Sequence, residues 1–219
     1  MTSAIYLVRH GQTDWNRDRI CMGQADIPLN DLGHEQARRA AERLQNLQIT
    51  AIYSSDLTRT VETARPLADA LRLSVATDSA FRELDYGDWQ GIHQDELPQN
   101  YPKAFRVDPR LDPLDFHPDG GESVKQLYQR VTPAFERIAS DHPDDRVTLF
   151  AHGGVVRCLA NYVLGQGAHG LDGTFFSLGF SVSNGGITHV RMDDDRSGQL
   201  ISLNDTCHLD SLPGSPDWA

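Results

Sequence analysis

Ala4-Ile5-Tyr6-Leu7-Val8-Arg9-His10-Gly11 is the stretch that decides how this chain is read. Its apolar run has the length and composition of a buried strand. Arg9 and His10 then arrive together where the strand stops, at the edge of an open α/β sheet where ligands bind. Gly11 carries no Cβ, so a bulky anion can come close to the backbone. By itself an Arg-His-Gly triplet also suits a solvated loop. Its weight comes from recurrence: Val147-Thr148-Leu149-Phe150-Ala151 is a second apolar run, and it ends in His152-Gly153-Gly154. If the two strands are neighbours, their imidazoles face each other across a small cavity. A helix starting at Gly153 adds free N–H groups and a dipole suited to an anion.

Working outward, residues 31–47 read as a helix. Ala37, Ala40, Ala41, Leu44 and Leu47 follow helical spacing, and Asn30 or Asp31 is placed to cap it. Ala51-Ile52-Tyr53-Ser54 reads as a strand. Ser55 or Asp56 opens another helix to about Leu71, with Pro66 a kink or early stop. A short strand is expected at 75–77. From 85 to 121 the pattern breaks down under Pro98, Pro102, Pro109, Pro113 and Pro118, with helix expected only near 94–105. So long an irregular segment is read as a cap or lid insertion. After Gly121-Glu122-Ser123 a helix runs to about Ser140. The tail carries two or three strands, near 180–183, 186–190 and 199–203. Asp193-Asp194-Asp195 with Arg196-Ser197-Gly198 reads as a solvated hairpin turn. The alternation predicts a single domain over 1–219. Its expected form is a three-layer α/β/α sandwich, with a mainly parallel central sheet and an antiparallel edge strand.

The bulk numbers narrow the function classes. A chain of 219 residues suits one domain and buries a core without metal or disulfide help. Cys21, Cys158 and Cys207 are odd in number and lack metal-ligand spacing, so a reducing cytoplasm is expected. Nothing at the N-terminus reads as a signal peptide, and no apolar run approaches the roughly 20 residues that cross a bilayer. A net charge of −11 disfavours nucleic acid and anionic membrane as partners. Lys103 and Lys125 are the only lysines; the other basic residues are arginines, which suit bidentate contacts to phosphate or carboxylate. Residues 205–219 read either as a loose tail or as a strap against a neighbouring subunit, so a homodimer stays among the arrangements considered.

Two more pieces complete the constellation. Arg59 lies on the first turn of the helix after Ser54-Ser55-Asp56-Leu57; the ordinary fate of such a residue is an ion pair with Asp56 or Glu62. Glu83 lies in Phe81-Arg82-Glu83-Leu84-Asp85-Tyr86-Gly87-Asp88-Trp89-Gln90-Gly91. A carboxyl among aromatic side chains and beside a phosphate holds its proton and serves as a general acid. The plainer expectation pairs it with Arg82.

These motifs together resemble the histidine phosphatase superfamily, the phosphoglycerate mutase-like proteins. The resemblance runs from Leu7 to about Gly186. Arg9-His10-Gly11 with Thr13 and Asn16 comes first. Gly23, Asp26, Pro28-Leu29, Gly33 and Gln36-Ala37 follow. Next are Ser54-Ser55-Asp56-Leu57 with Arg59-Thr60 and Glu62-Thr63-Ala64, then Glu83 with Tyr86-Gly87, Trp89 and Gly91, and finally Ala151-His152-Gly153-Gly154. The resemblance implies phosphoryl transfer through a phosphohistidine, with His10 the nucleophile. Arg9, Arg59 and His152 would surround the phosphate oxygens, and Asn16 and the Gly153 N–H would complete its shell. Glu83 would protonate the leaving alcohol and then activate water. Gly11, Met22, Gly23 and Tyr86 are further expected substrate contacts, with Trp89, Tyr101, Phe105 and Arg106 as cap residues. No metal and no cofactor is implied. Mutases of the family carry a longer insertion with paired arginines, whereas Pro118-Asp119-Gly120-Gly121-Glu122-Ser123 looks like the phosphatase branch. The expectation is therefore a phosphatase of a small phosphorylated metabolite of sugar phosphate or phosphoglycerate type. A phosphoglycerate mutase and a catalytically weak regulatory member are the alternatives.

Overall fold

In the computed structural model, which describes residues 2–101, 117–166, 180–193 and 197–212, the first apolar run is the middle of the sheet. The strands are Thr2–Arg9 (β1), Ala51–Ser54 (β2), Val75–Thr77 (β3), Arg146–Ala151 (β4), Ile187–Asp193 (β5) and Gly198–Asp205 (β6). They form one sheet in the order β3-β2-β4-β1-β5-β6. β1 and β2 lie parallel to β4, and β3 lies parallel to β2. β5 and β6 are antiparallel, so the non-parallel edge has two strands rather than the one expected. The register opposes Arg9 to Ala151, which brings the two strand ends level.

The helices are Asp14–Arg17 (α1), Asp31–Leu44 (α2), Thr58–Leu71 (α3), Leu97–Asn100 (α4), Val124–Asp141 (α5) and Gly153–Asn161 (α6). Period-two alternation along β1 sorts its side chains between two cores. Ile5 and Leu7 pack with α5 and α6 through Val131, Phe135, Val155 and Leu159. Tyr6 and Val8 pack with α2 and α3 through Ala40, Leu44, Ala64 and Leu67. The three layers follow from that division. No helix among the described residues is long and apolar enough to cross a membrane.

Three sequence expectations are corrected. Pro66 does not end α3, which continues to Leu71. Thr63, Ala64, Leu67 and Ala68 are buried on both sides of it, and that packing outweighs the lost hydrogen bond. α3 begins at Thr58, not at Ser55 or Asp56, because its capping carboxylate comes from far away. Asp26 accepts from the Thr58 N–H at 2.8 Å and from its hydroxyl at 2.8 Å. Residues 180–183 form no strand, since β4 and β5 already occupy both edges of β1. Their backbone is satisfied by side chains instead: Ser183 N donates to Asn204 Oδ1 at 2.8 Å.

The irregular segment after Glu83 holds short 3-10 turns at Gly87–Trp89 and Gln94–Glu96 before α4. It is tied to the loop after β1, with Cys21 N donating to Ile92 O and Gly91 N to Cys21 O, both at 2.9 Å. Residues 102–116 of the expected cap, with Phe105 and Arg106, lie outside the described residues, as do 194–196 of the hairpin and the last seven residues of the tail.

Candidate active site

β1 and β4 deliver the two imidazoles to one place. The His10 and His152 ring centroids are 5.3 Å apart, edge to face, and His10 N donates to Ala151 O at 3.0 Å. His10 is 3% exposed and His152 fully buried. Burial, then the charges of Arg59 and Arg9, hold His10 well below the ordinary histidine range. Burial, then Arg59, does the same to His152. Both rings are neutral at pH 7.

Their surroundings assign the protons. His10 Nδ1 lies 2.7 Å from Gly11 O, a group that only accepts. Nδ1 therefore carries the hydrogen, and Nε2 keeps its lone pair. His152 Nδ1 accepts from Arg59 Nε at 3.3 Å, so its proton is on Nε2, 3.0 Å from the Ser55 hydroxyl oxygen. Both His152 nitrogens are thus engaged within the protein.

Arg59 does not meet its ordinary fate. Asp56 is taken by a bidentate pair with Arg82 at 2.7 and 2.6 Å, and Glu62 accepts from Leu29 N at 2.9 Å. Arg59, 1% exposed, instead donates to Ala25 O at 2.7 Å and Gly23 O at 2.8 Å. Arg9 donates through Nη1 to Val182 O, while its buried Nε has no hydrogen-bond partner among the described residues. Burial lowers each guanidinium to about 10, which leaves both charged at neutral pH. A buried cationic donor without a partner favours the binding of an anion.

Glu83 is likewise free of Arg82. Its Oε2 accepts from Gly154 N at 3.0 Å, at the start of α6, and Oε1 from Leu84 N at 2.9 Å. A Cβ at 154 would lie 2.2 Å from Glu83 Oε1, so any side chain there would push this carboxylate out of its place. Behind the carboxylate, Arg130 forks onto Glu122 at 2.7 and 2.8 Å and donates to Ala80 O and Glu83 O at 2.8 and 2.9 Å. That brace fixes the Glu83 backbone from below.

The remaining expected contacts divide. Asn16 uses its carbonyl oxygen on Thr13 N and on Asn184 Nδ2, at 3.1 and 3.2 Å. Gly23 is placed through its carbonyl, on Arg59. Tyr86 is half-buried, and Glu83 and Arg9 both act on its hydroxyl electrostatically. Met22 is buried, with its sulfur 3.9 Å from the Thr13 hydroxyl. The reason for Gly11 differs from the one expected. Its N–H goes to Thr63 Oγ1 at 3.0 Å, and a Cβ would strike Gly33 O at 2.4 Å, so its glycine serves chain packing. Trp89 and Tyr101 pack on one another, ring centroids 5.7 Å apart. Among the described residues no three His, Cys, Asp or Glu side chains gather as a metal site.

Sequence reasoning passed over four participants. Asn184 Nδ2 reaches His10 O at 3.0 Å and Gly11 O at 3.3 Å, clamping the carbonyl that fixes the His10 proton. Ser55 is read from sequence as a helix start and as part of a family motif, and Arg130 is not singled out. Arg157 was not singled out at all. Its signal was present, five residues after His152 on a helix with no acidic residue.

The family model of the histidine phosphatase superfamily (branch 1) matches residues 5–206. The phosphoglycerate mutase-like protein 4 of Arabidopsis thaliana is 44% identical over 71% of this chain and 68% of its own length. Phosphoserine phosphatase 1 of Hydrogenobacter thermophilus is 31% identical, covering 94% of this chain and 93% of its own. A mycobacterial glucosyl-3-phosphoglycerate phosphatase, solved with VO3, superposes with a TM-score of 0.81 at 31% identity over 93% of this chain and 99% of that one. With paired strand-end histidines on a phosphoglycerate mutase-like sheet, this chain belongs to the histidine phosphatase superfamily, branch 1.

Proposed function

We propose that the protein is a metal-independent phosphatase of small phosphomonoesters, working through a phosphohistidine on His10. One observation carries this reading: the His10 proton is held on Nδ1 by Gly11 O, which leaves the Nε2 lone pair free among the described residues, near the charges of Arg59 and Arg9. Nε2 attacks phosphorus, the P–O ester bond breaks, and its electron pair stays on the ester oxygen. Glu83 gives that oxygen a proton as the alcohol departs. Water then attacks, losing its proton to Glu83, and the P–N bond returns its electrons to Nε2. Arg9 and Arg59 supply fixed positive charge where charge builds up on the phosphoryl oxygens. The Gly153 N–H and Asn16 Nδ2 have no protein acceptor among the described residues and complete that shell. His152 holds Arg59 Nε in place and packs against the His10 ring.

The phosphatase names among the relatives favour hydrolysis, and the mutase-like name of the Arabidopsis relative keeps isomerisation as the second reading. Buried Cys21 and Cys158, both free thiols, suit a reducing cytoplasm. A panel of phosphomonoesters, including bisphosphoglycerate-primed 3-phosphoglycerate, separates the readings when free phosphate and isomer are both followed. Phosphate release that His10→Ala abolishes and a chelator leaves untouched is the expected result. Isomer without phosphate makes the protein a mutase, and loss of activity with chelator overturns the metal-free mechanism.

A further inference from the structure

We propose that Arg157 is a specificity-determining residue that binds a carboxylate carried by the leaving alcohol, a few bonds from the phosphate ester. The inference rests on the phosphatase reading and names the substrate class of the same site.

Arg157 lies one turn into α6, four residues after Gly153 and so on the same face. Helical side chains lean toward the N-terminus, which folds its guanidinium back over the helix start. A Cβ built on Gly153 would lie 3.7 Å from Arg157 Nη2 and 3.5 Å from Arg9 Nε. Two guanidiniums therefore flank one small gap, and the Arg9 donor facing it has no partner among the described residues.

Several exposed arginines in this acidic chain pair with carboxylates, while Arg65, Arg72 and Arg191, remote from His10 and His152, make no ion pair among the described residues. Arg17 holds Asp14 at 2.8 Å and Arg137 holds Asp78 at 3.0 Å. Exposed Arg157 makes no ion pair and no side-chain hydrogen bond among the described residues, and α6 offers it no acidic neighbour. A like-charged guanidinium beside Arg9 is tolerated where an anion is to come between them.

Charge and direction agree. When Glu83 carries the proton it is about to donate, Arg9, Arg59 and Arg157 present three positive charges. A phosphoryl dianion balances two of them, and one carboxylate balances the third. Glu83 touches Gly154 while Arg157 covers Gly153, so the ester oxygen that Glu83 protonates faces the Arg157 side. A substituent on that alcohol leaves the phosphate shell past Arg157.

The test compares 3-phosphoglycerate with glycerol 3-phosphate, which carries an alcohol in place of the carboxylate, on wild type, Arg157→Gln and Arg157→Lys. A charged hydrogen bond of about 1.5–3 kcal/mol corresponds to about a 10- to 100-fold fall in kcat/KM. Arg157→Gln is expected to show that fall on 3-phosphoglycerate, mainly through KM. Its loss on glycerol 3-phosphate is expected to stay under about fivefold, the reach of an exposed charge across solvent. Arg157→Lys should recover part of the difference. Equal losses on both esters, or none on either, overturn the proposal. Calorimetric binding of the same two esters keeps the questions apart. A wild type that turns over neither ester sinks the phosphatase reading, while a selective loss of 3-phosphoglycerate binding in Arg157→Gln still upholds the role of Arg157.

Discussion

The ends of β1 and β4 look alike in sequence, histidine then glycine, and differ in every hydrogen bond that matters. His10 spends one nitrogen on the Gly11 carbonyl and keeps the other free. His152, fully buried, spends one on Arg59 and the other on Ser55. On the phosphohistidine reading proposed above, the nucleophile is chosen by what the neighbours leave unsatisfied, because both rings are buried and both have pKa values lowered by burial. The glycines differ as well. Gly11 is required by the Gly33 carbonyl, Gly154 leaves room for the Glu83 carboxylate, and Gly153 faces the gap between Arg9 and Arg157.

The sharpest way to break this comparison is to remove each ring in turn. His10→Ala should abolish turnover and any acid-labile phosphoenzyme trapped by rapid quench. His152→Ala should slow turnover by about 10²–10³-fold, in the range of losing one electrostatic support, while still forming phosphoenzyme. Phosphoenzyme in His10→Ala but not in His152→Ala would reverse the assignment. Next in size is Glu83→Gln, expected to slow alkyl phosphates by about 10²–10⁴-fold and aryl phosphates far less, since aryl leaving groups need little protonation. Equal losses on both would remove Glu83 from the acid role.

Asn184→Ala should act through the carbonyls it clamps, lowering kcat by about tenfold with KM little changed, the worth of one or two hydrogen bonds. Asn184→Asp keeps the shape but loses the donor, so it should not restore the rate. Recovery of the rate in Asn184→Asp would show that the amide donor is not what matters.

The smallest effect is thermodynamic. His10 and His152 have folded pKa values depressed below 6.5, so the unfolded chain binds protons that the native state refuses. Stability should be fully present above about pH 6.5 and fall as the pH drops below it, by at most about 1.4 kcal/mol per pH unit per histidine. His189 and His208, also lowered by burial, add to the slope. Urea midpoints from pH 7.5 to 5 should show it, and His10→Asn with His152→Asn should flatten the curve. A wild-type midpoint that rises toward pH 5 would contradict the buried neutral pair.

Much of this was legible beforehand for a local reason. Apolar runs such as 4–8 and 147–151 announce buried strands by composition, and the helical spacing around Ala37, Ala40 and Leu44 announces its own buried face. His10, Arg59, Glu83 and His152 stand at element boundaries, where sequence shows both the residue and the edge it is placed on. Other contributions were illegible because they join residues remote along the chain. Asp26 caps a helix 32 residues away. Asn184 clamps a loop 174 residues before it. Pro66 stays inside α3 because packing on both flanks outweighs its local penalty.

The chain by itself determined that His10 and His152 stand at strand ends and Arg59 at a helix start, since strand and helix periodicity are properties of neighbouring residues; that they meet followed only from the pairing of β1 with β4. Tertiary structure alone decided which imidazole keeps a free lone pair, which arginine escapes its local carboxylate and which cation is left without one among the described residues. Those outcomes depend on competition for hydrogen bonds and on burial, and both are settled only when distant segments come within about 3 Å of one another.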